Sequence, residues 1–121
     1  MTTPTLNDFA FVPQGASFSR TYSSVLDETG ATVTDFTGWT FAGAIKTAIS
    51  DADNAALITI ADGSFTRGTG EVGFILTPAT MAALTVGPVY HFAVKAQSPN
   101  GFVDTIDELR IQITRTARQA I

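Results

Sequence analysis

The sequence predicts an all-β sandwich of about seven or eight short strands with one short helix over residues 78–84. Three observations predict it. In run after run, apolar side chains recur at every second residue, the period at which strand side chains point to opposite faces of a sheet. Gly, Asp, Asn, Ser and Pro cluster between the runs, where turns are needed. Only Thr77–Leu84 breaks the alternation. The 121 residues suit one domain, 1–121, with short loose tails at about 1–5 and 115–121.

The elements follow in order. Phe9 and Phe11 alternate in a first short run, and Ala16, Phe18, Arg20 and Tyr22 share one face of the next, with Ser17, Ser19, Thr21 and Ser23 between them. Asp27-Glu28-Thr29-Gly30 reads as a turn, and Thr37-Gly38 leads into Trp39, Phe41, Gly43 and Ile45 on one face of a third run. A polar loop, Ser50–Asn54, precedes Leu57–Ile60, and Asp62-Gly63 between Leu57–Ile60 and Ser64–Arg67 carries a hairpin signal. Gly68-Thr69-Gly70 turns the chain into Val72, Phe74 and Leu76. Thr77 is an N-cap candidate with Pro78 at the first helical position, and Met81 and Leu84 are placed to plug one end of the core before Gly87-Pro88. Tyr90, Phe92, Val94 and Ala96 form the next inward face. Ser98-Pro99-Asn100-Gly101 suits a type I turn, and Leu109, Ile111 and Ile113 close the pattern. The expected core is Phe18, Tyr22, Trp39, Phe41, Ile45, Val72, Phe74, Leu76, Leu84, Tyr90, Phe92, Val94, Leu109 and Ile111, with Phe9 and Phe11 also read as core by their alternation.

Composition narrows the chemistry. The net charge of −4 argues against nucleic acid, which needs clustered positive charge. Charged residues at 15% against 45% hydrophobic ones speak for a folded chain. There is no cysteine, hence no disulfide, thiolate nucleophile or Cys-ligated zinc. The first residues carry neither a basic nor an apolar leader segment, and no apolar run approaches a membrane span, so neither a leader nor a membrane partner is expected.

No cofactor, metal or catalytic set is expected. The one histidine, His91, alternates outward from Tyr90 and Phe92, and no G-x-S-x-G marks a nucleophile. Asp51-Ala-Asp53-Asn54 opens like a calcium loop, but Ala55 and Ala56 stand where a ligand and the turn glycine belong, and Asp62 at position twelve is too short for a bidentate Glu. Gly68-Thr69-Gly70 lacks the remainder of a phosphate-binding loop. No acid falls on an apolar strand face, and Asp104, Asp107 and Glu108 read as a charged sheet edge that discourages association. A carbohydrate platform would need exposed aromatics, for which Phe36, Phe65 and Phe102, next to turns, are the candidates.

From Ala16 to Arg115 the landmarks fall in a telling order. Asp35-Phe36-Thr37-Gly38-Trp39 follows a polar strand and its turn; a strand ending Ile45-Lys46 comes next; then Gly70-Glu71-Val72-Gly73-Phe74-Ile75-Leu76-Thr77, the small-residue helix Thr80–Leu84, Gly87, Tyr90–Val94, and a last hairpin ending Ile111–Arg115. Over about four-fifths of the chain this order resembles the immunoglobulin-like domain at the N-terminus of tailed-phage upper-baseplate proteins, and related small domains of other phage virion proteins. The resemblance implies an immunoglobulin-like antiparallel sandwich, a virion location after synthesis in the host cytoplasm, and a structural role without catalysis. The baseplate proteins continue past this domain, whereas this chain stops at Ile121, so the resemblance implies the anchoring or decorating module alone.

The expected partners are other virion proteins and copies of the chain itself, in a tail or baseplate adaptor. A capsid decoration or cement protein is the alternative, and a carbohydrate-binding module for host-surface recognition the alternative of another class. The expected dock is the C-terminal tail, where Arg115, Arg118 and Ile121 combine two cations and an apolar anchor with no acid. Its expected counterparts are Asp104, Asp107 and Glu108, or the Asp51–Asp53 loop, of a neighbour.

Overall fold

The computed structural model describes residues 9–47 and 56–115. In chain order the elements are β1 (Phe9–Pro13), β2 (Phe18–Tyr22), β3 (Thr40–Lys46), β4 (Ile58–Ile60), β5 (Thr66–Gly68), β6 (Glu71–Leu76), α1 (Pro78–Met81), β7 (Val89–Gln97) and β8 (Val103–Thr114). One sheet has the order β1-β8-β7-β3-β4 and the other β2-β6-β5. The second sheet and the larger sheet opposite it form the two layers of a β-sandwich, in which β4 extends the larger sheet beyond β3. All ladders between these strands are antiparallel except β1 with β8, which is parallel.

Alternation builds the core as expected. Phe41 and Ile45 of β3, Phe92 and Val94 of β7, Leu109 and Ile111 of β8, and Val72 and Phe74 of β6 are buried between the layers. Six rings run through it in unbroken contact, Trp39–Phe41–Phe65–Phe74–Phe92–Phe18, with centroids 5.3–6.4 Å apart. Tyr90 opens β7 at the corner after α1, and its hydroxyl accepts the Thr85 N–H at 2.9 Å. That bond ties the loop after α1 to the start of β7, a geometry similar to the tyrosine corner of other β-sandwiches.

Three expectations need correction. The helix is shorter than 78–84. Thr77 does cap it, accepting the Thr80 N–H at 3.2 Å, but the chain tightens after Met81, and the Leu84 N–H bonds Met81 O. Leu84 must turn into the core while the Gly87 N–H reaches Ile113 O on β8, and a continued helix would satisfy neither. Asp62-Gly63 is no hairpin turn: β4 and β5 lie in different sheets, and a 3-10 turn at Asp62–Ser64 carries the chain across. Finally, Phe9 and Phe11 leave the core. The parallel register sets Ala10 and Val12 beside Ile111 and Ile113, so Val12 faces inward and Phe11, 64% exposed, faces out.

Gly73 is a packing requirement of the smaller sheet. A Cβ there would stand 2.7 Å from the Arg20 carbonyl oxygen, a backbone atom of the paired strand. Gly73→Ala is therefore expected to cost about 1–3 kcal/mol, the range for overpacking. Gly63→Ala, where a Cβ meets nothing within 4 Å, should be near neutral. Urea titrations of the two variants check this difference.

Candidate docking surfaces

The register assigns each surface residue to an end or a face. Thr40, Gln97 and Val103 mark one end of the larger sheet; Lys46, Val89 and Thr114 mark the other, beside the Val86–Ile113 bridge that follows α1. The first is called the loop end here and the second the helix end. The Asp27–Gly30 and Ser98–Gly101 turns meet at the loop end, where the Asn100 amide donates to Glu28 at 3.1 Å.

Of the expected tail dock, Arg115 is exposed at the helix end, while Arg118 and Ile121 lie outside the described residues, as does Asp51–Asp53. The acidic counterparts do not act as a set. Register shifts between Val94 and Lys95, so that Ile106 bulges from β8. Asp104 and Glu108 stay half-exposed, but Asp107 turns inward opposite Val94 and is 5% exposed. The charged-edge reading therefore fails for Asp107, and an acid does fall on an apolar strand face. The physical reason lies across the sandwich, on β2. Arg20 Nε donates to Asp107 Oδ2 at 2.9 Å, Arg20 Nη2 to Oδ1 at 3.2 Å, and the Tyr22 hydroxyl to Oδ2 at 2.7 Å. Asp107 is consumed as a tie between layers. Tyr22, expected in the core, sits half-buried at its margin for the same purpose.

Burial, then the hydrogen bond to Asp107, pushes the Tyr22 phenol well above its ordinary pKa of 10.0. The raised pKa means the native state holds the proton more tightly than the unfolded chain. Its contribution to stability is complete below pH about 10 and declines above it, by up to about 1.4 kcal/mol per pH unit for one proton. Tyr22→Phe is expected to flatten that alkaline decline in denaturation curves taken from pH 8 to 11.

At the loop end, two exposed carboxylates organise turns. Asp27 accepts from the Thr29 hydroxyl and the Thr29 and Ala31 N–H groups, and Asp35 from the Thr37 hydroxyl and N–H. These bonds hold both carboxyls below their ordinary 3.8. Asp62 accepts the Phe41 N–H at 2.8 Å, which holds it below its ordinary value too, and it also pairs with Arg67. Arg67 in turn donates to the Trp39 and Phe65 carbonyls, its guanidinium 5.0 Å above the Phe41 ring.

That latch closes the core over two supposed surface aromatics. Phe36 and Phe65 are 3% and 4% exposed, because their turns fold back across the sandwich and set both rings against Phe41. Of the three carbohydrate-platform candidates, Phe102 alone is exposed, at 39%.

The outer face of the larger sheet is the surface the sequence reading missed. His91 does point outward, and β7 pairs it with Lys46 on one side and Arg110 on the other. Phe9 follows on β1, its ring tilted against Phe11 with centroids 4.8 Å apart and covered by the Arg110 guanidinium at 5.1 Å. The Arg110 Nε is buried and has no hydrogen-bonding partner among the described residues. A shallow hollow, lined by Ala44, Ala93, Glu108 and the Lys46–His91–Arg110 row, lies beside it. The available signal was the outward half of each alternation, in which Lys46, His91 and Arg110 all fall.

Among the described residues no group of three or more His, Asp or Glu side chains is gathered as a metal site. No helix among them is long and apolar enough to cross a membrane. The chain matches no protein-family model and has no significant match among curated proteins.

Proposed function

We propose that this chain is a structural module of a tailed-phage virion, an adaptor of the tail or baseplate that works by docking and performs no catalysis. The observation that carries the reading is the coincidence of landmarks and fold. The Asp35-Phe36-Thr37-Gly38 turn, the Glu71–Leu76 strand, the short capped helix and Tyr90 follow one another in a β-sandwich, the architecture that the resemblance implies for this order of landmarks. Both supports concern architecture: the sandwich offers two end surfaces and an outer sheet face, and Asp27, Asp35 and the Arg20–Asp107 pair serve its turns and the tie between its layers. The dock in this reading includes the basic tail, Arg115, Arg118 and Ile121, with Asp104 and Glu108 of a neighbour as counterparts.

Mass spectrometry of purified particles tests the location. A few to a few tens of copies is the expected result, hundreds would place the protein on the capsid shell, and absence would end the virion reading. Truncation after Thr114 tests the dock: the shortened protein is expected to lose occupancy in particles, most of all at raised salt. Undiminished incorporation would remove the tail from the interface.

A further inference from the structure

We propose that Asn100 is a self-modifying site: the Gly101 backbone nitrogen displaces its side-chain amide, and the loop end gains a carboxylate. Asn100-Gly101 is the one Asn-Gly pair in the chain. Asparagine is a thermolabile residue, and a following glycine has no side chain to shield its own nitrogen from the attack. Both residues are exposed at the tip of the β7–β8 hairpin. The Asn100 amide reaches out of that tip and donates to the exposed Glu28 at 3.1 Å. The Gly101 N–H donates to Ser98 O at 2.9 Å, and this bond has to open before the nitrogen can meet Asn100 Cγ. It closes an exposed loop tip, where local opening costs little. The Ser98 N–H to Phe102 O bond and the Gln97–Val103 pair lie below it and keep the strands in register.

In the reaction the Gly101 nitrogen bonds to Asn100 Cγ and the Cγ–Nδ2 bond breaks. The proton shed by the Gly101 nitrogen ends on Nδ2, which leaves as ammonia. Water then opens the five-membered imide at one of its two carbonyls. Opening at one leaves aspartate at position 100; opening at the other leaves isoaspartate, with the backbone routed through the former side chain. Water is the one co-reactant. The single Asp-Gly pair, Asp62-Gly63, could close the same ring by loss of water, but its side chain is fastened. Asp62 accepts the Phe41 N–H at 2.8 Å and pairs with Arg67, which ties it to β3 and β5. Position 62 is therefore an internal control. Either product at position 100 sets a carboxylate where an amide had donated to Glu28, so a bond between the Asp27–Gly30 and Ser98–Gly101 turns becomes a repulsion. The change runs one way, and aged copies of the chain differ from new ones at the loop end. The inference goes beyond the virion reading and does not depend on it, since it concerns the purified chain alone.

Incubation of the full chain at 37 °C for several weeks, followed by peptide mapping with mass spectrometry and an isoaspartate assay, provides the test. The expected result is a mass gain of about one unit in the peptide that holds Asn100, with both aspartate and isoaspartate there and no isoaspartate at position 62. The conversion should run about tenfold or more faster at pH 8 than at pH 6, because the attacking nitrogen has to shed its proton. Asn100→Gln, which would have to close a six-membered ring, should keep its amide through the same incubation. Circular dichroism establishes that this variant folds; should it not, the wild-type map and its pH dependence decide. An Asn100 amide intact at the end of the pH 8 incubation, isoaspartate at position 62 as abundant as at position 100, or a conversion indifferent to pH would each overturn the proposal.

Discussion

Trp39→Ala is expected to remove about 3–5 kcal/mol of folding stability, the range for truncating a buried large aromatic. Trp39 caps the file of six rings at the loop end. It stacks on Phe41 at 6.4 Å and meets Phe36 edge-on at 6.0 Å. Its carbonyl also accepts from Arg67, so the residue joins the core to the latch on the sandwich edge. Truncation would leave a void bordered by Phe36 and Phe41, whose positions are set by β3 and by the Asp35 turn, so collapse cannot fill it. Trp39→Phe, which keeps a ring in the site, should cost about half as much or less. Equilibrium urea denaturation checks both values, and a near-neutral Trp39→Ala would contradict the packing described above.

Asp107→Ala is the second large effect, expected at about 2–4 kcal/mol. The value lies between the cost of an unsatisfied buried hydroxyl and that of a broken buried ion pair. Removing the carboxylate strands the Tyr22 hydroxyl and the Arg20 guanidinium at once. The figure stays below the upper end because the Arg20 side chain is 39% exposed and regains some water. The decisive measurement is a double-mutant cycle. Arg20→Met with Asp107→Leu replaces both charges by apolar groups of similar reach, and its cost should be clearly smaller than the sum of the two single changes. Additivity would mean that the two side chains do not act as one tie.

How much of this was legible in the sequence follows from what periodicity can carry. The long runs in β3 and β7 alternate a strongly apolar face with a weak one, so face and register could be read together. In β1, Phe-Ala-Phe-Val-Pro is apolar on both faces, and alternation says only that two faces exist. The larger side chains were assigned inward, whereas the parallel register on β8, about a hundred residues away, selects the smaller Ala10 and Val12. Phe36 and Phe65 failed for a related reason: proximity to a turn suggests exposure, but these turns are pinned over the core by Asp35, Asp62 and Arg67. The Asp107 tie was half visible. Arg20, sharing a face with Phe18 and Tyr22, is a cation turned inward and requires an anion. Its partner could be read as well, since Asp107 shares the parity of Leu109, Ile111 and Ile113, but grouping it with Asp104 and Glu108 as one charged edge passed over that alternation. The Ser98–Gly101 turn was readable from its residues: the Gly101 N–H does bond Ser98 O at 2.9 Å, with Gly101 in the left-handed region that the fourth position tolerates.

The parallel pairing of β1 with β8 bears on how the module withstands load. β1 runs toward the helix end and so does β8, so a pull applied before Phe9 and after Thr114 draws the two strands in opposite senses along their length. The ladder from Phe9–Arg110 to Pro13–Thr114 is then sheared, and its hydrogen bonds share the force together. In an antiparallel hairpin pulled from its open end, the bonds would instead break in succession. Forced unfolding is governed by the rate of crossing the unfolding barrier, and not by equilibrium stability alone. A small sandwich closed in this way resists traction along its strands better than its modest core would suggest.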